Sequence, residues 1–347
     1  MTDSRMTSGL LKTAAIACAL ALVTACGGGG GSSSNDQNDR LDTGQPGEVL
    51  DPNLVIVEPG DRFQERLMEA LISAQPGNII ELPEGEYNFN SSISLDVDNV
   101  TIRGQGKDVS VLNFSEQTSG GESLLVTSNN VTLEDFAVVD APSDGIKFKF
   151  SNGVTMRRIR VEWTCGPCSE NGAYGLYPVQ TRNVLIEDSV VIGASDAGIY
   201  VGQSDKIIVR RNLASLNVAG IEIENSTNSE VYENIAEDNT GGILVFDLPN
   251  LSREGARTRV YNNTVRNNNT VNFAPPGSIV GVVPTGTGML IMAFSDVEVF
   301  NNTIENNQSA AIVVVHYDIS GRTTDDVKYD GAPRRVYCLL YTSDAAD

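Results

Sequence analysis

Short runs that open on a small residue and continue apolar, variable, apolar recur along most of the chain. Ile146, Leu176, Ile199, Ile221, Ile243, Met289 and Ile312 head them, at intervals of 30, 23, 22, 22, 46 and 23 residues. A unit of 22 or 23 residues therefore repeats, with insertions in two places. A second series, Leu133, Met156, Ile186, Val209, Val231, Val260 and Val299, follows about ten residues behind the first. Each run alternates with period two over four or five residues, too short for a helix and too regular for a loop, so two short strands recur in every unit. Such a unit cannot bury its own apolar face and must stack on its neighbours, as one rung of a parallel β-helix. Three residues after second-series positions stand Asn212, Asn234, Asn263 and Asn302. Stacking sets these amides one above another as a structural ladder. Upstream, Asp61 and Gln64 have the spacing of a capping box, and Phe63, Leu67 and Leu71 form the apolar stripe of a short helix that closes the N-terminal end. The expected fold is all-β, a single-stranded parallel β-helix over residues 54–337 with a short N-terminal capping helix.

The two ends of the chain read differently. Arg5 and Lys12 precede an apolar stretch from Thr13 to Val23, too short to span a bilayer and suited to a signal peptide over residues 1–25. Val23, Thr24, Ala25 and Cys26 resemble the bacterial lipobox, which implies lipidation of Cys26 and a membrane partner through the acyl chains. Residues 26–53, rich in Gly, Ser, Asn and Asp, read as a flexible tether. In lipoproteins of this kind an Asp after the Cys retains the protein in the inner membrane. Here Gly27 stands there, so the outer membrane of a Gram-negative bacterium is expected. Residues 338–347, CLLYTSDAAD, follow no upstream pattern and resemble a translated sequencing-library adaptor, so they are excluded from the fold expectation.

Charge narrows the function classes. Lys plus Arg number 24 against 45 Asp plus Glu, a net charge of −21 that repels nucleic acid. The single histidine, His316, removes most His-based catalytic schemes and any metal site needing two imidazoles. It follows a run of valines in the last recognisable strand and reads as a surface or end-coil residue.

With the first series pointing inward, the residues after it point outward and stack: Lys147, Tyr177, Tyr200, Glu222 and Leu244. Lys147 beside Tyr177 has the makings of a base and acid for β-elimination, and Glu222 with Glu224 those of an acid/base pair. The tyrosines offer ring faces to sugars, and a polar row of Gln180, Gln203, Asn225 and Asp247 lies three residues further on. The competing expectation is a plain solvated face on an acidic solenoid. An acidic face disfavours a bare polyuronate, so that substrate requires Ca²⁺ held by carboxylates such as Asp144, Asp196 or Asp247; no other metal or cofactor is expected. Insertions at about 163–174, 268–287 and 248–257 flank this face and are expected to wall a groove over it. Cys165 and Cys168, in a Cys-Gly-Pro-Cys run just after Trp163, fall in the first of these. A loop-bracing disulfide is expected there, with redox chemistry and a metal site as alternatives.

The stretches LMEALISAQPGNIIELPEGEYNF, NVTIRGQG, SDAGIYV, VAGIEIENS and TGGILVF resemble right-handed parallel β-helix repeat proteins of the pectin-lyase-like superfamily, over about residues 61–320. The block from NGAYGLYPVQ to NTGGILVFDLPN is similar to a group of secreted or lipid-anchored bacterial members without assigned activity. That likeness implies a right-handed coil and, as a partner, a dihaem cytochrome-type protein. The Gly-His-Gly, Asp-His and Asp-Pro-His elements of the superfamily's galacturonases, lyases and epimerases are missing here. The expected function is an envelope-anchored lipoprotein that binds or scaffolds a polysaccharide. The alternatives are a polysaccharide lyase or C5-epimerase, and a structural partner of a periplasmic redox protein.

Overall fold

The computed structural model describes residues 51–339 and 342–343. The expected leader, the lipidated Cys26, all but the last residues of the tether and most of the C-terminal decapeptide lie outside them. Among the described residues, the coil contributes strands to three parallel sheets. The first sheet has eleven strands, from Leu54–Ile56 to Arg334–Leu339; the second has nine, from Ser91–Leu95 to Ala310–Val315; the third has ten, from Gly85–Asn88 to Thr342–Ser343. The coil is a single-stranded right-handed parallel β-helix, the hand that parallel crossovers take almost without exception.

Both apolar series stack as read. Ile146, Leu176, Ile199, Ile221, Ile243, Met289 and Ile312 pair in register in the second sheet. Leu133, Met156, Ile186, Val209, Val231, Val260 and Val299 do so in the first. A third column, Val161, Val191, Ala214, Ala236, Val265 and Ile304, completes the core from the third sheet, one inward residue per three-residue strand.

The corners are held by amides. Asn212, Asn234, Asn263 and Asn302 form the expected ladder: the Oδ1 atoms of the last three each accept the backbone N–H and the side-chain amide of the asparagine one rung before, and that of Asn212 accepts the Ser189 N–H. A second ladder, Asn217, Asn239, Asn268 and Asn307, repeats the pattern at the next corner. It explains the glycines ahead of Ile199, Ile221 and Ile243. A Cβ on Gly198 would lie 2.8 Å from the Asn217 amide nitrogen, and one on Gly220 2.9 Å from that of Asn239.

The capping helix is Phe63–Ser73, with Phe63, Leu67 and Leu71 buried. The capping box does not form: Arg62 is the N-cap residue and no side chain caps the helix. Gln64 instead accepts from the Asn90 N–H at 3.0 Å and donates to Ser91 Oγ at 2.8 Å, fastening the helix to the strand below. At the other end, Arg334–Leu339 runs past the boundary expected at residue 337, with Cys338 opposite Val299.

Candidate functional site

Along the outer face of the second sheet one row of side chains runs Ser94, Leu125, Lys147, Tyr177, Tyr200, Glu222, Leu244, Leu290. The row points away from the core, as alternation dictates, but its exposure is graded. Ser94 is open to solvent; Leu125, Lys147 and Tyr177 are half-buried; from Tyr200 onward the row is buried. The expectation of a solvated face, or of a groove walled on both sides, is thus corrected. The 268–287 and 248–257 insertions fold over the face as a roof instead of standing beside it. Val280 and Val283 of the 268–287 insertion pack with Leu244, Phe246, Leu290 and Met292, and Tyr317 and Tyr329 from the segment after the last strand of this sheet join the same apolar cluster. Apolar side chains on both roof and floor make the contact favourable.

The expected glycan-binding row is largely committed to that roof. Asn225 donates to the carbonyls of Leu248 and Arg253, and both carboxylate oxygens of Asp247 accept from the Gly255 N–H. Gln203 Oε1 accepts from Ser252 Oγ at 2.8 Å and, more weakly, from the Gln180 amide. Asn225 and Asp247 therefore hold the 248–257 insertion and are withdrawn from solvent. Among the described residues no three metal-ligating groups converge, and the calcium expectation finds no preformed cage. Cys165 and Cys168 are joined as a disulfide in the 163–174 insertion, which Asn171 pins to the next rung through the Gly193 carbonyl. His316 is exposed and its Nδ1 accepts from the Asp318 N–H.

Where the open part of the face meets the roof, acidic and aromatic groups crowd together. Tyr174, which alternation alone does not single out, has its ring centroid 4.6 Å from those of both Tyr177 and Tyr200. Tyr200 donates to Glu224 Oε1 at 2.7 Å, and Ser278 of the roof donates to Asp196 Oδ2 at 2.7 Å. Asp196 Oδ1 and Glu222 Oε2 are buried with no hydrogen-bond partner. Lys147 lies 2.7 Å from Glu122, 3.4 Å from Asp144 and 4.6 Å from the Tyr177 ring centroid.

Burial governs the titration of these groups. It lifts Asp144 to about 6 against the pull of Lys147. It lifts Asp196 to about 7, opposed by the Ser278 hydrogen bond and reinforced by the charge of Asp144. Glu224 rises to about 7 through burial, opposed by the Tyr200 hydrogen bond, and Glu222, buried beside Asp196 and Glu224, is raised well above the usual carboxylate range. For Lys147 burial works against the charge, but Glu122, Tyr177 and Asp144 together outweigh it and its pKa is raised. Burial also pushes the Tyr177 phenol up to about 12. Lys147 is thus held as a tethered cation by Glu122 and Asp144, and burial favours the neutral phenol of Tyr177.

The chain matches the family described as "Right handed beta helix region" over residues 168–320. A curated relative, the pre-neck appendage protein of Bacillus phage B103, is 26% identical over 221 residues, covering 52% of this chain and 25% of that protein. The chain thus spans about a quarter of that relative's length. Among solved structures, the mannuronan C-5 epimerase AlgE6 A-module of Azotobacter vinelandii superposes with a TM-score of 0.61 at 18% identity, covering 82% of this chain and 83% of that one. DFA-IIIase from Arthrobacter chlorophenolicus A6, in complex with GF2, gives 0.56 at 12% identity, covering 86% of each chain. Likeness at these identities concerns the fold. By its strand arrangement, its repeat and these matches, the chain has the right-handed parallel β-helix fold.

Proposed function

We propose that the protein binds a neutral glycan on the outer face of the second sheet and hydrolyses it by acid–base catalysis between Asp196 and Asp144. One observation carries this: Asp196 and Glu222 keep unpartnered, buried oxygens at the point where the open face ends. An unsatisfied buried polar group costs roughly 1–3 kcal/mol, and perturbed carboxyls of this kind concentrate at functional sites. Asp144 titrates near 6 and Asp196 near 7. Burial raises both carboxyls, and Asp144 is pulled back by Lys147, so Asp196 is the better proton donor and Asp144 the better acceptor, the division of labour that hydrolysis of an acetal needs. Asp196 passes its proton to the glycosidic oxygen as the anomeric C–O bond breaks; Asp144 takes a proton from the water that forms the new C–O bond. The two stand two rungs apart, roughly 9–10 Å along the backbone stack, a spacing of the order used when a water lies between acid and base. The surrounding negative charge favours a neutral glycan over a uronate.

The expected result is a bell-shaped rate profile on soluble neutral polysaccharides, read as reducing ends released. Asp196→Asn should cost about 10²-fold or more in rate. Lys147→Met should move the acid limb to higher pH, because the cation that holds Asp144 down is gone. Glycan binding without product, unchanged by Asp196→Asn, would reduce the site to a binding surface and defeat the hydrolytic assignment.

The proposal includes anchoring through a lipidated Cys26 in the outer membrane, supported by the order of the basic residues, apolar run and cysteine. Cys26→Ser should shift the protein from the membrane to the soluble fraction. Recovery that still needs detergent after that substitution would exclude the anchor.

A further inference from the structure

The face that carries the carboxylates is open at one end and shut at the other, and the shut end is built as a fixed wall. Its pieces are tied to the floor and to one another. Ser278 bonds Asp196, the Tyr329 hydroxyl donates to the Asp247 carbonyl at 2.7 Å, and Arg322 donates to the Gly277 carbonyl, joining the 268–287 insertion to the 316–330 segment. The Asn250 N–H donates to Asp326 Oδ2 at 3.0 Å, joining that segment to the 248–257 insertion. Beneath these bonds Val280 and Val283 are buried on Leu244 and Leu290. In the other direction the row opens through Tyr177, Lys147 and Leu125 to the exposed Ser94.

We infer that this site takes a glycan by its chain end. The chain lies over Ser94, Leu125, Lys147 and Tyr177, and its terminal residue stops against the wall at Ser278 and Tyr200. The inference rests on the glycan reading above and adds what that reading leaves open, whether the substrate is an internal stretch or a terminus. Three rung steps separate Ser94 from Tyr177, roughly 14 Å at the inter-strand spacing, which is room for about three sugar residues. An internal stretch needs floor on both sides of the carboxylates, and on the far side Leu244 and Leu290 are covered by apolar side chains that a sugar cannot displace without exposing them.

The test uses the wild-type chain with size-fractionated inulin, dextran and linear β-1,3-glucan, compared at equal mass. End recognition predicts that both binding and initial rate fall in inverse proportion to mean chain length, because only the number of ends changes. A variant with residues 272–284 replaced by a short Gly-Ser link should lose that dependence and bind long chains at several places. A wild-type signal independent of chain length overturns the chain-end inference and leaves the glycan reading standing. No signal from any of the three polysaccharides, with either protein, counts against the glycan reading itself, and the inference falls with it. Should the shortened variant fail to fold, the length dependence of the wild-type chain decides alone.

Discussion

Raising the pH from about 4 to about 7.5 is expected to destabilise this fold, the reverse of the usual behaviour of carboxylates. Asp144 titrates near 6 in the folded chain, Glu224 and Asp247 near 7, all lifted chiefly by burial. Unfolded, the same carboxyls release their protons near pH 4. Within that window the folded state holds more protons than the unfolded one, so each such group removes up to about 1.4 kcal/mol of stability per pH unit. Together, allowing for their mutual coupling, the cluster is worth on the order of 5 kcal/mol. Other carboxylates act in the opposite sense at lower pH. Asp188 is held down by its hydrogen bond to Arg211, so its contribution is present above pH 4 and is lost as the pH falls through its depressed pKa. Stability should therefore peak near pH 4 to 5 and decline toward neutrality. Urea midpoints measured at pH 4.5, 6 and 7.5 check this, and a midpoint that climbs steadily to pH 7.5 refutes it. The net charge of −21 adds self-repulsion in the same direction. Glu222→Gln separates the two causes. It removes one buried acid and changes the overall charge little, so it should raise the midpoint at pH 7.5 and flatten its slope.

The core was legible wherever the alternation was carried by bulky side chains over several residues. Ile199, Ile221 and Val209, Val231 are such positions, and both columns stand where the spacing put them. The third column escaped because its strands are three residues long with a single inward side chain, often as small as Ala214 or Ala236. The second amide ladder follows those strands and escaped with them, although Asn217 and Asn239 keep the same 22-residue spacing as Asn212 and Asn234. The site was legible in direction and illegible in depth. Period two places Tyr177, Tyr200 and Glu222 on the outer face, but it says nothing of what an insertion does after it leaves the rung. The clue was present in Val280, Val282 and Val283, three valines in a segment read only as a wall. Asp196 sits just ahead of its strand, where alternation assigns no face, and only the Ser278 contact from the roof shows its place.

Asn234→Ala is expected to cost about 2–5 kcal/mol, the sum of the polar groups it strands. Its Oδ1 accepts from both the backbone N–H and the side-chain amide of Asn212 at 3.0 Å, and its Nδ2 donates to the Val209 carbonyl at 2.9 Å and to Asn263 Oδ1 at 3.0 Å. Asn212 and Asn263 are themselves almost fully buried, so water cannot take over these bonds without opening the corner. Asn228, an exposed residue whose amide donates to Asp205 and accepts from Arg257, provides the contrast; Asn228→Ala should cost about 1 kcal/mol, mostly from its left-handed backbone, and clearly less than Asn234→Ala. Asn234→Asp tests the ladder directly. The carboxylate can still accept from Asn212 but cannot donate to the Val209 carbonyl, so at neutral pH it should be at least as damaging as Ala. Part of the loss should return in acid as the group protonates. Because each rung touches only its neighbours, a broken corner in mid-stack also weakens the coupling between the two halves of the solenoid. The urea m-value should then fall along with the midpoint as the halves begin to unfold separately. A midpoint and slope unchanged by Asn234→Ala would mean that the amide stack contributes nothing to holding the rungs together.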